Sequence, residues 1–233
     1  MNKKKILGVI PARGGSKGIP GKNLIKISGK PLIQYTIEAS KKSKLLTEFI
    51  ISTDSEEIAN FTRSVGGNAP FLRPENLSSD KALSLPAILH ALNFMEKVIE
   101  DKYDIIVMLQ PTTPLRSYED IDNAISILLD KHADSVISVT DVGGHHPLRM
   151  KRIVNGRLIN YIDQGVEDMR PRQDLPPVYI RNGAIYAAFR EILIEKNSFS
   201  GNNCYAFNMP AERSINIDTL DDLTLAKKYI NDN

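Results

Sequence analysis

Four short apolar runs punctuate the chain: Ile6-Leu7-Gly8-Val9-Ile10, Phe49-Ile50-Ile51-Ser52-Thr53, Ile105-Ile106-Val107-Met108-Leu109 and Ser135-Val136-Ile137-Ser138-Val139. Each is too short for a helix and lacks the strict polar alternation of a half-solvated strand, so each reads as a strand buried on both faces. Helical spacing fills the gaps. Leu32, Ile33, Thr36 and Ile37 follow Pro31, and Ile58, Ala59 and Phe61 follow a cap at Asp54 or Ser55. Ser84 to Val98 carries Leu85, Ile88, Leu89, Leu92 and Met95, with Ser84 a candidate N-cap, and Ser117 precedes Ile121, Ala124, Ile125 and Leu128. Strands alternating with helices predict an α/β fold built from βαβ units around a mostly parallel, mixed sheet.

The pattern then changes. Pro147 to Ile162 holds two apolar pieces around Asn155-Gly156, a strong hairpin signal. A polar loop follows from Asp163 to Pro177, then a return strand over Ala184–Phe189. Ile215 and Ile217 suggest one more short strand, and Thr219 can cap a last helix through Leu223, Ala226 and Ile230; Ala69–Leu72 is a short strand at best. With no repeat, low-complexity run or linker, the expectation is one domain over 1–233, with 145–177 a hairpin and loop lobe.

The segment Pro11-Ala12-Arg13-Gly14-Gly15-Ser16-Lys17-Gly18-Ile19-Pro20-Gly21-Lys22-Asn23 follows the first strand, where open α/β sheets place ligands. Its glycines let backbone N–H groups approach a phosphate, and Arg13, Lys17 and Lys22 add cations suited to a polyanion. Neither the P-loop spacing nor a GxG dinucleotide fingerprint is present.

Composition narrows the partners. Thirty basic residues against 28 acidic ones leave a formal net charge of +2, and no basic stripe with interleaved aromatics points to nucleic acid. The single cysteine, Cys204, rules out an intrachain disulfide and a cysteine metal cluster, and reads as a small buried or semi-buried residue. The apolar run after Met1-Asn2-Lys3-Lys4-Lys5 breaks at Pro11, too early for a secretory or membrane segment, so the cytoplasm is expected, with no membrane partner.

The run Ile10-Pro11-Ala12-Arg13-Gly14-Gly15-Ser16-Lys17-Gly18-Ile19-Pro20-Gly21-Lys22-Asn23 resembles the signature loop of the bacterial CMP-sialic acid synthetases, the acylneuraminate cytidylyltransferases. Further blocks match in order: Ser52–Ser55, Arg73–Asp80, Leu109–Arg116, Asn182–Tyr186 and Ile217–Thr219. The resemblance spans about residues 6 to 230. It implies a Rossmann-like nucleotide-diphospho-sugar transferase fold and an enzyme that uses CTP to make a CMP-activated nonulosonic acid, N-acetylneuraminic acid or a close relative. Legionaminic, pseudaminic or an eight-carbon ulosonic acid are the neighbouring substrates, and a nucleotide-binding homologue without catalysis is the rival from another class.

The resemblance also implies roles. Arg13, Lys17 and Lys22 hold the triphosphate, with Gly14, Gly15, Ser16, Asn23, Arg73 and Ser84 around the nucleotide, while Gln110, Arg172 and Tyr186 meet the acidic nine-carbon sugar. Competing structural readings stand beside several of these: a loop-fixing arginine at 73, a helix cap at Ser84, a core tyrosine at 186. Arg116 is read first as a tie for the Pro-Thr-Thr-Pro turn. The lobe is implied to build a homodimer with composite sites.

A divalent metal, Mg²⁺ or Mn²⁺, is implied on two aspartates before the last helix. Here the segment is Ser214-Ile215-Asn216-Ile217-Asp218, so Asn216 replaces the first. An amide oxygen can ligate but brings no charge, so three readings stand: Asp218 as the one charged ligand, which is preferred, help from another carboxylate such as Asp221, or weak metal binding. Adjacent His145 and His146 point to opposite faces of an extended chain and chelate poorly together; similar His-His-Pro runs in the family imply a structural or interface role.

Overall fold

A computed structural model describes residues 4–16, 18–79, 82–162 and 169–231. The first apolar run forms β1 (Ile6–Pro11). After the glycine-rich loop come a two-stranded ribbon, β2 (Lys26–Ile27) and β3 (Lys30–Pro31), then α1 (Leu32–Lys42), β4 (Glu48–Ser52), α2 (Glu56–Ser64) and α3 (Ser84–Ile99). The chain continues through β5 (Ile105–Leu109), α4 (Tyr118–Asp130), β6 (Ser135–Asp141), the hairpin β7 (Lys151–Val154) and β8 (Arg157–Asn160), β9 (Tyr179–Phe189), α5 (Arg190–Lys196), β10 (Cys204–Asn208) and α6 (Leu220–Asn231).

One six-stranded sheet runs in the order β10-β6-β9-β5-β1-β4. β1 pairs in parallel with β4 and β5, and β10 with β6, whereas β9 is antiparallel to both neighbours. The expected mixed, mostly parallel sheet is what forms.

Period-two alternation divides the side chains of β1 and β5 between two cores. Ile10, Val107 and Leu109 pack against Ile33 and Ile37 of α1 and Ile121, Ile125 and Leu128 of α4. Leu7, Val9, Ile106 and Met108 face the other way onto Ile88, Leu92 and Met95 of α3. A smaller cluster of Ile19, Ile27, Leu32, Ile217 and Ala226 fastens the glycine-rich loop to α6. Helices cover both faces, so the ligand edge of the sheet is left open at the strand carboxyl ends.

Helix starts follow local chemistry. The Ser55 side chain accepts from the Ile58 N–H at 3.3 Å, and Ser117 and Asp120 form a reciprocal capping box. Thr219 accepts from the Asp222 N–H at 3.2 Å. Ser84 is not the N-cap of α3: that position falls to Leu83, which makes no side-chain cap bond. In the hairpin, Asn155 and Gly156 both take positive φ, 51° and 74°, as a tight two-residue turn requires.

Other expectations need correction. Residues 214–218 form no strand; Ile217 makes one backbone bond, to the Thr112 carbonyl at 2.8 Å, beside the exit of β5. Ala69–Leu72, by contrast, agrees with a short strand at best, since it contributes one isolated bridge, Thr53 to Leu72. Cys204 is exposed, because it opens β10, the strand at the sheet edge. The strand predicted over Ala184–Phe189 begins five residues earlier, at Tyr179. Of the polar loop, 163–168 lies outside the described residues, as do 1–3 of the basic start. Among the described residues no helix is long and apolar enough to cross a membrane.

Candidate functional site: a cleft at the strand carboxyl ends

The segments leaving β1 and β5 at their carboxyl ends, the stretch between α2 and α3, and residues 216 and 218 wall a cleft of about 440 Å³. The loop after β1 supplies Arg13, Gly15, Ser16, Lys22 and Asn23; the stretch before α3 supplies Arg73, Leu77, Ser79, Ala82, Leu83 and Ser84. Gln110, Pro111 and Thr112 follow β5, and Asn216 and Asp218 close the rim. Most of the site residues expected from the sequence therefore meet in one place.

The loop is held by its own polar groups. Gly14 donates its N–H to Asp54 Oδ1 at 2.8 Å, and an added Cβ would press to 2.9 Å from Ser55 Cβ. Gly14 thus serves as a strut beneath the lining rather than part of it. Asn23, buried, donates to the Arg13 carbonyl at 2.9 Å, and Arg13 reaches across to the Ser79 carbonyl at 3.1 Å. The Lys22 ammonium donates to the Ile217 carbonyl and to Asp218 Oδ1, both at 2.8 Å. Lys17 lies outside the described residues.

Arg73 answers to both of its readings. It lines the cleft, yet its guanidinium donates to the Ser52 hydroxyl at 3.1 Å and to the Ser52 carbonyl, fixing the end of β4. Burial lowers its pKa, and nearby Arg13 adds to that while Asp54 opposes it. Ser84, relieved of capping, turns an exposed side chain to the cleft.

Gln110 sits opposite Gly183, whose φ of +79° strains any other residue and where a Cβ would lie 2.7 Å from Gln110 Oε1, so a side chain there would displace the amide. The bulge holding Gly183 is pinned by Asn182, which accepts from Ser138 Oγ at 2.6 Å and donates to Ser214 Oγ at 2.9 Å. Asp54 and Asn182 fall in two of the matching blocks, but their supporting roles had no local signal, because Gly14, Ser138 and Ser214 are distant in sequence.

Arg116 is a structural tie. It is buried, and donates to the Gln110 and Ala184 carbonyls at 3.1 and 2.8 Å and to the Thr36 hydroxyl at 2.6 Å. Burial lowers its pKa to about 10, against the pull of Asp120.

Two expected sugar residues do not line this cleft. Tyr186 packs in the α3-side core with its ring centroid 5.9 Å from that of Phe199, and burial raises its pKa, with Arg181 opposing. Arg172 and Gln173 line a separate hollow with Asp141, Gly143 and His146. His146 is structural: it is buried, Nδ1 accepts from the Leu148 N–H, and Nε2 lies 3.0 Å from the Pro176 carbonyl.

Among the described residues no group of three or more His, Cys, Asp or Glu is placed to hold a metal. Asp221 is not among the cleft residues; its neighbour Asp222 instead accepts from the Asp218 and Thr219 N–H groups at 3.1 and 2.8 Å. Burial disfavours the Asp222 carboxylate, but these bonds, the Thr219 hydroxyl and the Lys22 charge together hold its pKa below the usual range.

A glycine-rich loop and cations at the carboxyl edge of such a sheet suit the phosphates of a nucleotide, the arrangement a nucleotidyltransferase needs. Residues 7–199 match the family model described as "Cytidylyltransferase", and the chain belongs to that family. It is 34% identical over 227 residues to the CMP-N,N'-diacetyllegionaminic acid synthase of Legionella pneumophila, covering 97% of this chain and 96% of that one. It is 35% identical over 220 residues to the N-acylneuraminate cytidylyltransferase of Streptococcus agalactiae, covering 94% of this chain but 51% of the relative, so the chain spans about half that protein's length. The fold resembles the solved structure of a CMP:2-keto-3-deoxy-manno-octonic acid synthetase complexed with CTP, with a TM-score of 0.72 at 20% identity, covering 98% of this chain and 99% of that one. The resemblance read in the sequence is borne out.

Proposed function

We propose that the enzyme transfers CMP from CTP to a nonulosonic acid, N-acetylneuraminic acid or a close relative, with release of pyrophosphate. The observation that carries this reading is the cleft, which brings together Arg13 and Lys22 from the loop after β1, Arg73 and Ser84 from the stretch before α3, and Gln110 after β5. A sugar hydroxyl attacks the α-phosphorus, its proton passes to solvent, and the bond to the β-phosphate oxygen breaks. Negative charge grows on the leaving pyrophosphate, where fixed cations stabilise the transition state more than the ground state. Loop N–H groups orient the phosphates, and Gln110 offers both a donor and an acceptor to the sugar.

The oxygens of Asp218 and Asn216 suit a hard cation such as Mg²⁺ or Mn²⁺, with phosphate oxygens supplying most of the charge. Such an ion offsets charge on the phosphates. Two further features belong to this reading. The hairpin exposes Ile153 and Leu158, at 75% and 68%, which supports a homodimer through the 145–177 lobe, with Arg172 acting in the partner's site. A CTP-dependent reaction supports a cytoplasmic setting.

Pyrophosphate release tests the proposal with CTP, Mg²⁺ and a panel of N-acetylneuraminic, legionaminic, pseudaminic and eight-carbon ulosonic acids. Turnover with one of the nine-carbon acids is expected, and silence across them sinks the reading.

A further inference from the structure

Lys22 and Asp218 come from opposite ends of the chain and meet at the rim of the cleft. The lysine side chain is 12% exposed, and its ammonium sits between the Ile217 carbonyl and Asp218 Oδ1, each at 2.8 Å. The second carboxylate oxygen accepts from the Asn216 amide at 3.4 Å. The backbone around Asp218 is fixed as well. Its N–H is held by Asp222 at 3.1 Å, and its carbonyl lies so close to Gly18 that a Cβ there would come to 2.4 Å. Asp218 is the one carboxylate among the described residues that line the cleft.

A carbonyl and a carboxylate converging on a point charge are donors that a hard divalent ion also takes. Here the point charge is an ammonium, compact and strongly hydrated when free. The two cations compete for the same oxygens, and a single carboxylate cannot neutralise both.

We propose that Lys22 occupies the cation position of Asp218 while the cleft lacks nucleotide, and yields it to a divalent ion only when a polyphosphate draws the ammonium away. The inference deepens the proposed reaction and rests on reading the cleft as a polyphosphate site. A triphosphate offers the ammonium several anionic oxygens in place of one carboxylate and one carbonyl, so the exchange is favourable. It frees the Ile217 carbonyl and the Asp218 carboxylate together. The polyphosphate therefore assembles with the protein before the ion, or carries the ion in with it. Gly18 and the Ile19–Ile217 packing keep the donor segment in place during the exchange.

The test is a Mn²⁺ titration of the nucleotide-free protein, read by loss of the electron paramagnetic resonance signal of free Mn²⁺. Lys22→Met is expected to bind Mn²⁺ at least about tenfold more tightly than the unaltered protein, the lower end of what a partner of a metal ligand contributes. Lys22→Arg, which keeps the cation, should stay as weak as the unaltered protein, and adding Asp218→Asn to Lys22→Met should remove the gain. Thermal unfolding checks that each variant folds, and Lys22→Gln gives the same reading if the methionine variant does not. Equal Mn²⁺ affinity in the unaltered protein and in the neutral variants overturns the proposal. No nucleotide or sugar enters the titration, so its outcome is separate from that of the transfer assay.

Discussion

The Lys22 ammonium donates to the Asp218 carboxylate at 2.8 Å, across 196 residues of sequence, and so ties the glycine-rich loop to the segment that precedes α6. The pair joins the strongest phosphate-binding candidate to the one charged metal-ligand candidate. Its chemistry generates the first expectation. Asp218→Ala should raise the Mg²⁺ concentration for half-maximal pyrophosphate release by about 10–100-fold, as loss of a group at a metal site commonly does. An unchanged Mg²⁺ dependence discards Asp218 as the ligand.

Arg13 and Lys22 both line the cleft and, in the proposed reaction, meet the triphosphate. Lys22→Ala or Arg13→Ala should each lower kcat by about 10²–10³, the loss typical of removing one preformed group that meets transition-state charge. Steady-state rates at saturating CTP check this, and a loss confined to KM means uniform binding instead.

At Gly183, φ is +79° and Gln110 Oε1 lies where a side chain would go. Gly183→Ala should cost about 1–2 kcal/mol from the backbone alone. It should also displace Gln110 and raise KM for the sugar more than KM for CTP. Denaturant unfolding and the two KM values measure the two effects separately.

Arg116 donates to two carbonyls and a hydroxyl inside the protein. Arg116→Leu strands these acceptors, and a loss of about 3 kcal/mol in unfolding free energy is expected, on the order of one or two buried charged hydrogen bonds. A change under 1 kcal/mol (roughly what an exposed substitution gives) contradicts the buried-tie role.

The Asp222 carboxylate is held below its usual pKa in the folded state. A depressed folded pKa adds stability above the unfolded value, near 4, and that increment is lost as pH falls through the folded value. The difference in melting temperature between the protein and Asp222→Asn should therefore be larger at neutral pH than at a pH of about 3. A difference that does not shrink in acid removes this carboxylate from the helix start.

Much of the architecture was legible along the chain because its causes are local. The four apolar runs appear as β1, β4, β5 and β6, and helices follow Ser55 and Ser117 because those hydroxyls cap the first turn. β10 and α5 escaped notice. An edge strand such as Cys204–Asn208 is half-solvated and short, and its pairing with β6 comes from the far side of the hairpin. The alternation of Ile215 and Ile217 suggests a strand, yet among the described residues the only backbone–backbone bond there is from Ile217 to the Thr112 carbonyl, and the Ile217 carbonyl goes to Lys22.

The site divides along the same line. Sequence alone determined that a cationic, glycine-rich loop leaves a buried strand where sheets bind ligands, and its ordered blocks identified the family. Tertiary structure decided which charges face the cleft. Arg116 and Arg73 both lie in proline-bearing loops and both are buried, yet only Arg73 lines the cleft, while Arg116 donates to the Gln110 and Ala184 carbonyls. Tyr186 joins a core, and Lys22 finds Asp218. Local propensity acts over a few residues, whereas burial and charge pairing depend on which distant segments the sheet brings within hydrogen-bonding distance.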